Sequence, residues 1–122
     1  MLERYVFAFV LLLVLDFTFL YFNQTTFQNQ VITVQRVVLQ PNYIGFIMSY
    51  ICLFALLGYF IIRPHRSVQE AFLLGLLIYG VFEFTNKAIF KKWEYMTVAL
   101  DTLWGGILFG LTTWGTYAYY SR

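Results

Sequence analysis

The sequence predicts an all-α integral membrane protein, a bundle of four transmembrane helices, and two observations support this. Of the 122 residues, 61% are hydrophobic and only 11% are charged, whereas charged residues make up about a quarter of an ordinary soluble domain. The eight Lys and Arg are concentrated between four long apolar runs, so the chain lacks the polar shell that a protein in water needs. A lipid bilayer is therefore the expected surrounding.

The charge distribution argues against a nucleic-acid-binding protein. A net charge of +2 is small, and the basic residues form no cluster on one face of the kind that nucleic acid requires. Cys52 is the only cysteine, so no disulfide can form within one chain. Neither feature changes the membrane interpretation.

The first span is predicted at about 5–22, where only Asp16 and Thr18 interrupt an apolar run. At about 1.5 Å per residue, a helix of this length just covers a hydrocarbon core of about 30 Å. A signal peptide is disfavoured because the run can span and no Ala-x-Ala-like cleavage site follows it. The next segment, 23–42, is polar and is expected to form a loop at the membrane interface.

The other three spans are predicted at about 43–62, 68–90 and 95–120. Pro41 lies just before the second span, where its fixed ring suits the start of a helix. Ser67 is the expected N-cap of the third, with Glu70 in its first turn. Four spans and one loop fill the chain, so residues 1–122 are expected to form a single domain.

Three acidic residues lie inside predicted spans, where a charge at the bilayer centre costs at least ~2.5 kcal/mol. Asp16 comes six residues before the end of the first span, Glu83 seven before the end of the third, and Asp101 six after the start of the fourth. In an antiparallel bundle these three ends share one membrane face. All three carboxyl groups are therefore expected at one level, roughly 10 Å inside that face.

Polar neighbours complete a candidate ligand- or ion-binding site. Asn86 and Lys87 follow Glu83 by three and four residues, so they share its helical face, and Trp104 is expected to wall the site. The six candidate residues are Asp16, Glu83, Asn86, Lys87, Asp101 and Trp104. Three carboxylates against one lysine leave surplus negative charge, so the leading hypothesis is that the site binds or relays a cation or a proton.

The motifs give little support for catalysis. The sequence contains no HExxH, CxxC, G-x-S-x-G or phosphate-loop motif, so an enzyme is the less favoured interpretation and no cofactor is expected. Carboxylate and amide oxygens could hold Mg²⁺ or Ca²⁺, but their spacing specifies no metal. A lipid-modifying enzyme or accessory factor stays open as a third hypothesis, with a lipid as the bound molecule.

The second hypothesis is a structural or assembly component of a membrane, for example a viral or organellar one, in which the acids serve helix packing. It expects Glu83 to pair with Lys87, Asp101 to be protonated or bonded to Trp104 or a tyrosine, and Asp16 to bond to Asn86. Gly106 and Gly110 form a GxxxG motif, which usually marks helix packing within a subunit. A homo-oligomer is also expected, because four short helices enclose little room alone.

The orientation depends on a near-even count of basic residues. Arg4, Arg63, Arg66 and Arg122 fall on one side, and Arg36, Lys87, Lys91 and Lys92 on the other. If Lys87 lies within its helix, the positive-inside rule favours both termini in the cytoplasm. The host membrane is not indicated.

Four short motifs recur together in one known family. They are Leu15-Asp16, Gln40-Pro41-Asn42, YGVFEFTN at 79–86 and DTLWG at 101–105. The chain resembles, over nearly its whole length, the predicted membrane proteins called domain of unknown function 2177. That family usually has Asp in place of Glu83 and Arg in place of Gln40. The resemblance implies a four-helix membrane protein with these polar positions, and it implies no particular activity.

Overall fold

The structure is a computed structural model that describes residues 2–23, 43–90 and 93–120. In this part of the chain there are four helices and no strand. They are α1 (Leu2–Phe22), α2 (Tyr43–Leu57) continued by a π-helical segment (Gly58–Ile62), α3 (Val68–Ile89) and α4 (Tyr95–Tyr119). The predicted all-α four-helix fold is confirmed. The loop predicted at 23–42 lies, apart from Asn23, outside the described residues.

Three of the helices, α1, α3 and α4, are long and apolar enough to cross a membrane. The described apolar part of the remaining helix, Ile47–Ile62, is shorter. It includes the π-helical segment, in which the Arg63 N–H donates to the Gly58 carbonyl oxygen at 2.9 Å, five residues back. The second helix therefore ends at residue 62, as predicted, although its last turn is not α-helical.

The turn between the second helix and α3 is fixed against the end of α4. His65 has a φ of 58°, a left-handed conformation that ends the helix, and its ring stacks on that of Tyr117 with 4.1 Å between centroids. The Tyr117 hydroxyl donates to the Arg66 carbonyl oxygen at 2.7 Å. This turn and the C-terminal end of α4 consequently share one side of the molecule.

Helix α3 begins with the cap that the sequence predicts. The Glu70 N–H donates to the Ser67 hydroxyl at 3.1 Å, and the Ser67 N–H donates back to the Glu70 carboxylate at 3.2 Å. This reciprocal pair is a capping box, which satisfies two amide donors that the first helical turn leaves free.

Helices α3 and α4 pack most extensively, and glycines let their backbones touch. A Cβ placed on Gly75 would lie only 2.1 Å from the Gly105 carbonyl oxygen, so no larger residue fits that crossing. On the adjacent face, Gly106 and Gly110 lie against Phe72. The GxxxG motif therefore mediates packing within the chain, between α4 and α3.

Helix α1 lies against α4, whereas α2 packs more loosely. Ala8, Leu12 and Asp16 are the buried residues of α1, spaced by one helical turn, and its opposite face exposes apolar side chains. Among these, Val10 and Val14 are more than half exposed. Such a surface is unfavourable in water and suits hydrocarbon.

Candidate functional site

The first part of the site is Asp16, which is 5% exposed. One of its oxygens accepts a hydrogen bond from the Tyr50 hydroxyl, and the other accepts one from the Trp104 indole N–H at 2.8 Å. The Trp104 ring stacks almost parallel on Phe19, with 4.5 Å between centroids. Asp16 therefore connects α1 to α2 and α4, and both of its oxygens have donors, as burial of a carboxyl group requires.

The second part is a carboxyl pair between α3 and α4. Glu83 is 1% exposed, and one of its oxygens accepts a hydrogen bond from the Trp93 indole N–H at 2.8 Å. The Asp101 carboxyl group on α4 lies close enough to that of Glu83 to interact with it. Two carboxylates repel each other at close range, whereas a proton on one of them allows a hydrogen bond between the two groups. The pair is therefore a candidate site for a shared proton.

The two parts are adjacent. Asp101 lies close enough to Asp16 for their charges to interact, and Tyr50 and Tyr79 lie near both acids. The structure thus brings together the three carboxyl groups that the sequence places at one depth. We call Asp16, Glu83 and Asp101 the acidic cluster. It lies toward the side where α1 and α3 end and α4 begins.

Asn86 and Lys87 lie about one helical turn beyond Glu83 on α3, and both are partly buried. The Lys87 ammonium group lies 4.5 Å from the centre of the Tyr95 ring, within range of a cation–π interaction. The Asn86 carbonyl oxygen accepts the Phe90 N–H at 2.7 Å and so ends the helix.

Two hydrogen bonds have partners other than those that the structural hypothesis predicts. Asp16 takes its hydrogen bonds from Tyr50 and Trp104, where Asn86 was expected. Trp104 donates to Asp16, where Asp101 was expected. The reason is geometric, since packing of α1 on α4 places the indole of Trp104 against α1.

Tyr50 and Trp93 are site residues that the sequence does not indicate. Tyr50 is one of ten tyrosines and lies within an apolar run, so nothing marks it as a donor. Trp93 follows two lysines at a predicted helix end, a position typical of an interfacial tryptophan. In the structure it is 9% exposed, because its indole turns back to Glu83.

A groove of about 450 Å³ lies between α2 and α3. Its walls are mainly apolar, with Leu56 on α2 and Phe82 on α3, and Asp101 contributes a polar group from α4. Cys52, which is exposed, lines it as well. Within residues 2–23, 43–90 and 93–120, His, Cys, Asp and Glu form no group of three or more that could hold a metal ion.

Comparison with known families agrees with this architecture. A family model described as "Predicted membrane protein (DUF2177)" matches residues 1–118. The chain belongs to this family. The match confirms the resemblance noted for the four sequence motifs and establishes a membrane protein, without an activity. No curated protein and no solved structure matches the chain.

Proposed function

We propose that this DUF2177 protein binds and relays a proton within the membrane, with the Glu83–Asp101 pair as the proton carrier. The observation that supports the proposal is the burial of two neighbouring carboxyl groups between α3 and α4, of which Asp101 also lines the groove. One proton is held between the two groups, and one of them faces a path out of the bundle.

Helix packing alone does not account for the pair. The backbones of α3 and α4 already touch where Gly75 meets Gly105, so the two helices have a close apolar contact without it. Acidic residues inside a membrane are costly and usually mark ion or proton pathways. An acid pair retained beside an adequate apolar contact therefore supports a functional role.

A proton suits the acidic cluster better than a metal ion does. Both oxygens of Asp16 accept hydrogen bonds from Tyr50 and Trp104, and an oxygen of Glu83 accepts one from Trp93. Ca²⁺ needs about 6–8 oxygen ligands, and Mg²⁺ requires a near-octahedral set. Oxygens already committed to N–H and O–H donors are poor ligands for either ion.

The test is reconstitution in liposomes with an imposed pH gradient and an internal pH-sensitive dye. Wild-type protein is expected to accelerate proton movement, and Glu83→Gln and Asp101→Asn are expected to abolish the acceleration. Glu70→Gln is the matched control, because Glu70 is an exposed acid near the opposite end of α3. Equal flux in wild type and both site variants would refute the proposal.

Infrared spectroscopy provides a second measurement that needs no transport. The protonated carboxyl group gives a C=O stretch distinct from that of a carboxylate, and it is expected in wild type and absent from Asp101→Asn. Its presence at unchanged intensity in both Asp101→Asn and Glu83→Gln would place the proton elsewhere.

The structural hypothesis has one specific observation in its favour. Asp16 links three helices through two hydrogen bonds, a role that requires no proton transfer. If Asp16→Asn and Glu83→Gln strongly lower thermal stability while wild-type liposomes show no proton flux, helix packing is the function of the acidic cluster.

A further inference from the structure

The groove between α2 and α3 opens toward the lipid, because exposed residues flank it on both helices. Met48 on α2 and Phe82 on α3 both line it and are 54% and 57% exposed. Its volume of about 450 Å³ lies within the roughly 300–1,000 Å³ typical of small-molecule sites. A molecule dissolved in the membrane could therefore enter from the side.

The lining of the groove combines apolar and polar residues. Most of the lining is apolar, and the polar residues in it include Ser49, Tyr79 and Asp101. An acyl chain alone would gain nothing from a carboxyl group in its binding surface, since that group is costly in hydrocarbon. A positive charge would gain from the carboxyl group and from the nearby aromatic faces of Tyr79 and Phe82.

We propose that this groove binds an amphiphilic organic cation, whose charged head lies against Asp101 and whose apolar part lies along α2 and α3. The inference rests on the proposed proton site and names the molecule that exchanges with the proton. When the cation enters, the proton held between Glu83 and Asp101 leaves to water. Two carboxylates and one cation then carry the same net charge as the singly protonated pair did.

This exchange predicts competition between the cation and protons. The titratable groups that interact with Asp101, besides Glu83, are Asp16 from α1, Tyr50 from α2 and Tyr79 from α3. The two tyrosines are neutral hydrogen-bonding groups, and Asp16 is held by its own donors. Binding of the cation is therefore expected to weaken as the pH is lowered, because the carboxyl pair regains its proton.

Cys52 provides the readout, because it is the single cysteine of the chain, is exposed and lines the groove. The protein in phosphatidylcholine nanodiscs is treated with a membrane-permeable maleimide, with or without dodecyltrimethylammonium. Dodecanol serves as the neutral probe with the same tail. By mass action, alkylation should slow about tenfold when nine-tenths of the grooves hold the cation, and dodecanol should have no comparable effect.

Substitutions of Asp101 and the pH dependence of protection test whether the cation binds at the carboxyl group. Asp101→Asn is expected to lose protection by the cation, while Asp101→Glu, which keeps the carboxyl group, should retain it. In wild type, the ratio of alkylation rates with and without the cation should approach one at low pH, which needs no variant. Equal protection by dodecanol, or protection that persists in folded Asp101→Asn or at low pH, overturns the cation site.

Failure of the cation site and failure of the proton proposal give different results. The infrared signal of the carboxyl pair is measured without any probe, so a failed cation test leaves the proton site standing. If that signal is missing from wild type while dodecyltrimethylammonium still protects Cys52, the exchange with a proton is refuted.

Discussion

At the scale of the residue, the burial of Asp16 depends on two neutral donors from two other helices. The Tyr50 hydroxyl and the Trp104 indole N–H each satisfy one oxygen. Removing one donor leaves a carboxyl oxygen unsatisfied in an apolar surrounding, which costs about 1–3 kcal/mol.

Tyr50→Phe is therefore expected to lower the free energy of unfolding by about 1–3 kcal/mol, measured by titration from mild micelles into denaturing detergent. Tyr59→Phe is the matched control, because Tyr59 is on the same helix and is 59% exposed. The ring of Tyr59 lies beside the Arg63 guanidinium, a contact that phenylalanine preserves. Equal stability of the two variants would argue against the hydrogen bond to Asp16 as a stabilising contact.

Trp93 plays the corresponding part for Glu83, through a hydrogen bond of 2.8 Å. Trp93→Phe keeps an aromatic ring but removes the indole N–H donor. The hydrogen bonding of the Glu83 carboxyl group, and with it the position of the proton in the carboxyl pair, is therefore expected to change. The infrared C=O band of the pair should shift in frequency. Trp114→Phe, at a position that is 62% exposed, should leave the band in place, and a band that also stays fixed in Trp93→Phe would contradict this role.

At the scale of the element, the crossing of α3 and α4 sets the geometry of the carboxyl pair. Glu83 on α3 and Asp101 on α4 come close enough to interact because the backbones touch farther along, at Gly75 and Gly105. The glycines therefore act on the site without contacting it, by fixing how closely the two helices approach.

Gly75→Ala is expected to destabilise the protein by about 1–3 kcal/mol, the usual cost of overpacking, because its Cβ would lie 2.1 Å from the Gly105 carbonyl oxygen. Gly80→Ala on the same helix is the control, since its Cβ would meet only the Thr102 methyl group at 3.6 Å. That variant should be neutral or slightly stabilising, because alanine favours a helix over glycine by up to about 1 kcal/mol. The same detergent titration measures both, and similar losses would contradict a close crossing at Gly75.

At the scale of the whole molecule, the sequence predicts the spans and the depth of the acids well. Apolar runs between basic turns mark the helices, and the depths of Asp16, Glu83 and Asp101 follow from counting residues to the helix ends. Both features depend only on residues that are close together in the sequence. Ser67 and Glu70 likewise form their cap within four residues, so the sequence predicts that too.

The rest of the site depends on tertiary packing. Tyr50 becomes a donor to Asp16 only because α2 turns that face toward α1, whereas Tyr59 in the same apolar run is exposed. The groove is a gap between α2 and α3, and Ser49 and Cys52 line it instead of entering the core. No residue pattern distinguishes a helix face at such a gap from one that faces lipid.

The alternating direction of the helices leads to a test of the four-span topology. The start of α1 and the turn before α3 should lie on one side of the membrane, and the turn before α4 on the other. The test matters most for the second helix, because its described apolar part, Ile47–Ile62, is the shortest of the four.

Single cysteines at Glu3, Arg66 and Glu94, each introduced into Cys52→Ala, are to be treated with a membrane-impermeant maleimide in sealed vesicles. All three positions are exposed. The cysteines at positions 3 and 66 should react from the same side, and the one at 94 from the opposite side, because an even number of crossings separates the first two. Cys52→Ala without an added cysteine should remain unlabelled and keep its proton flux. If positions 3 and 66 react from opposite sides, one of the first two helices does not cross, and the acidic cluster cannot form from ends that share a membrane face.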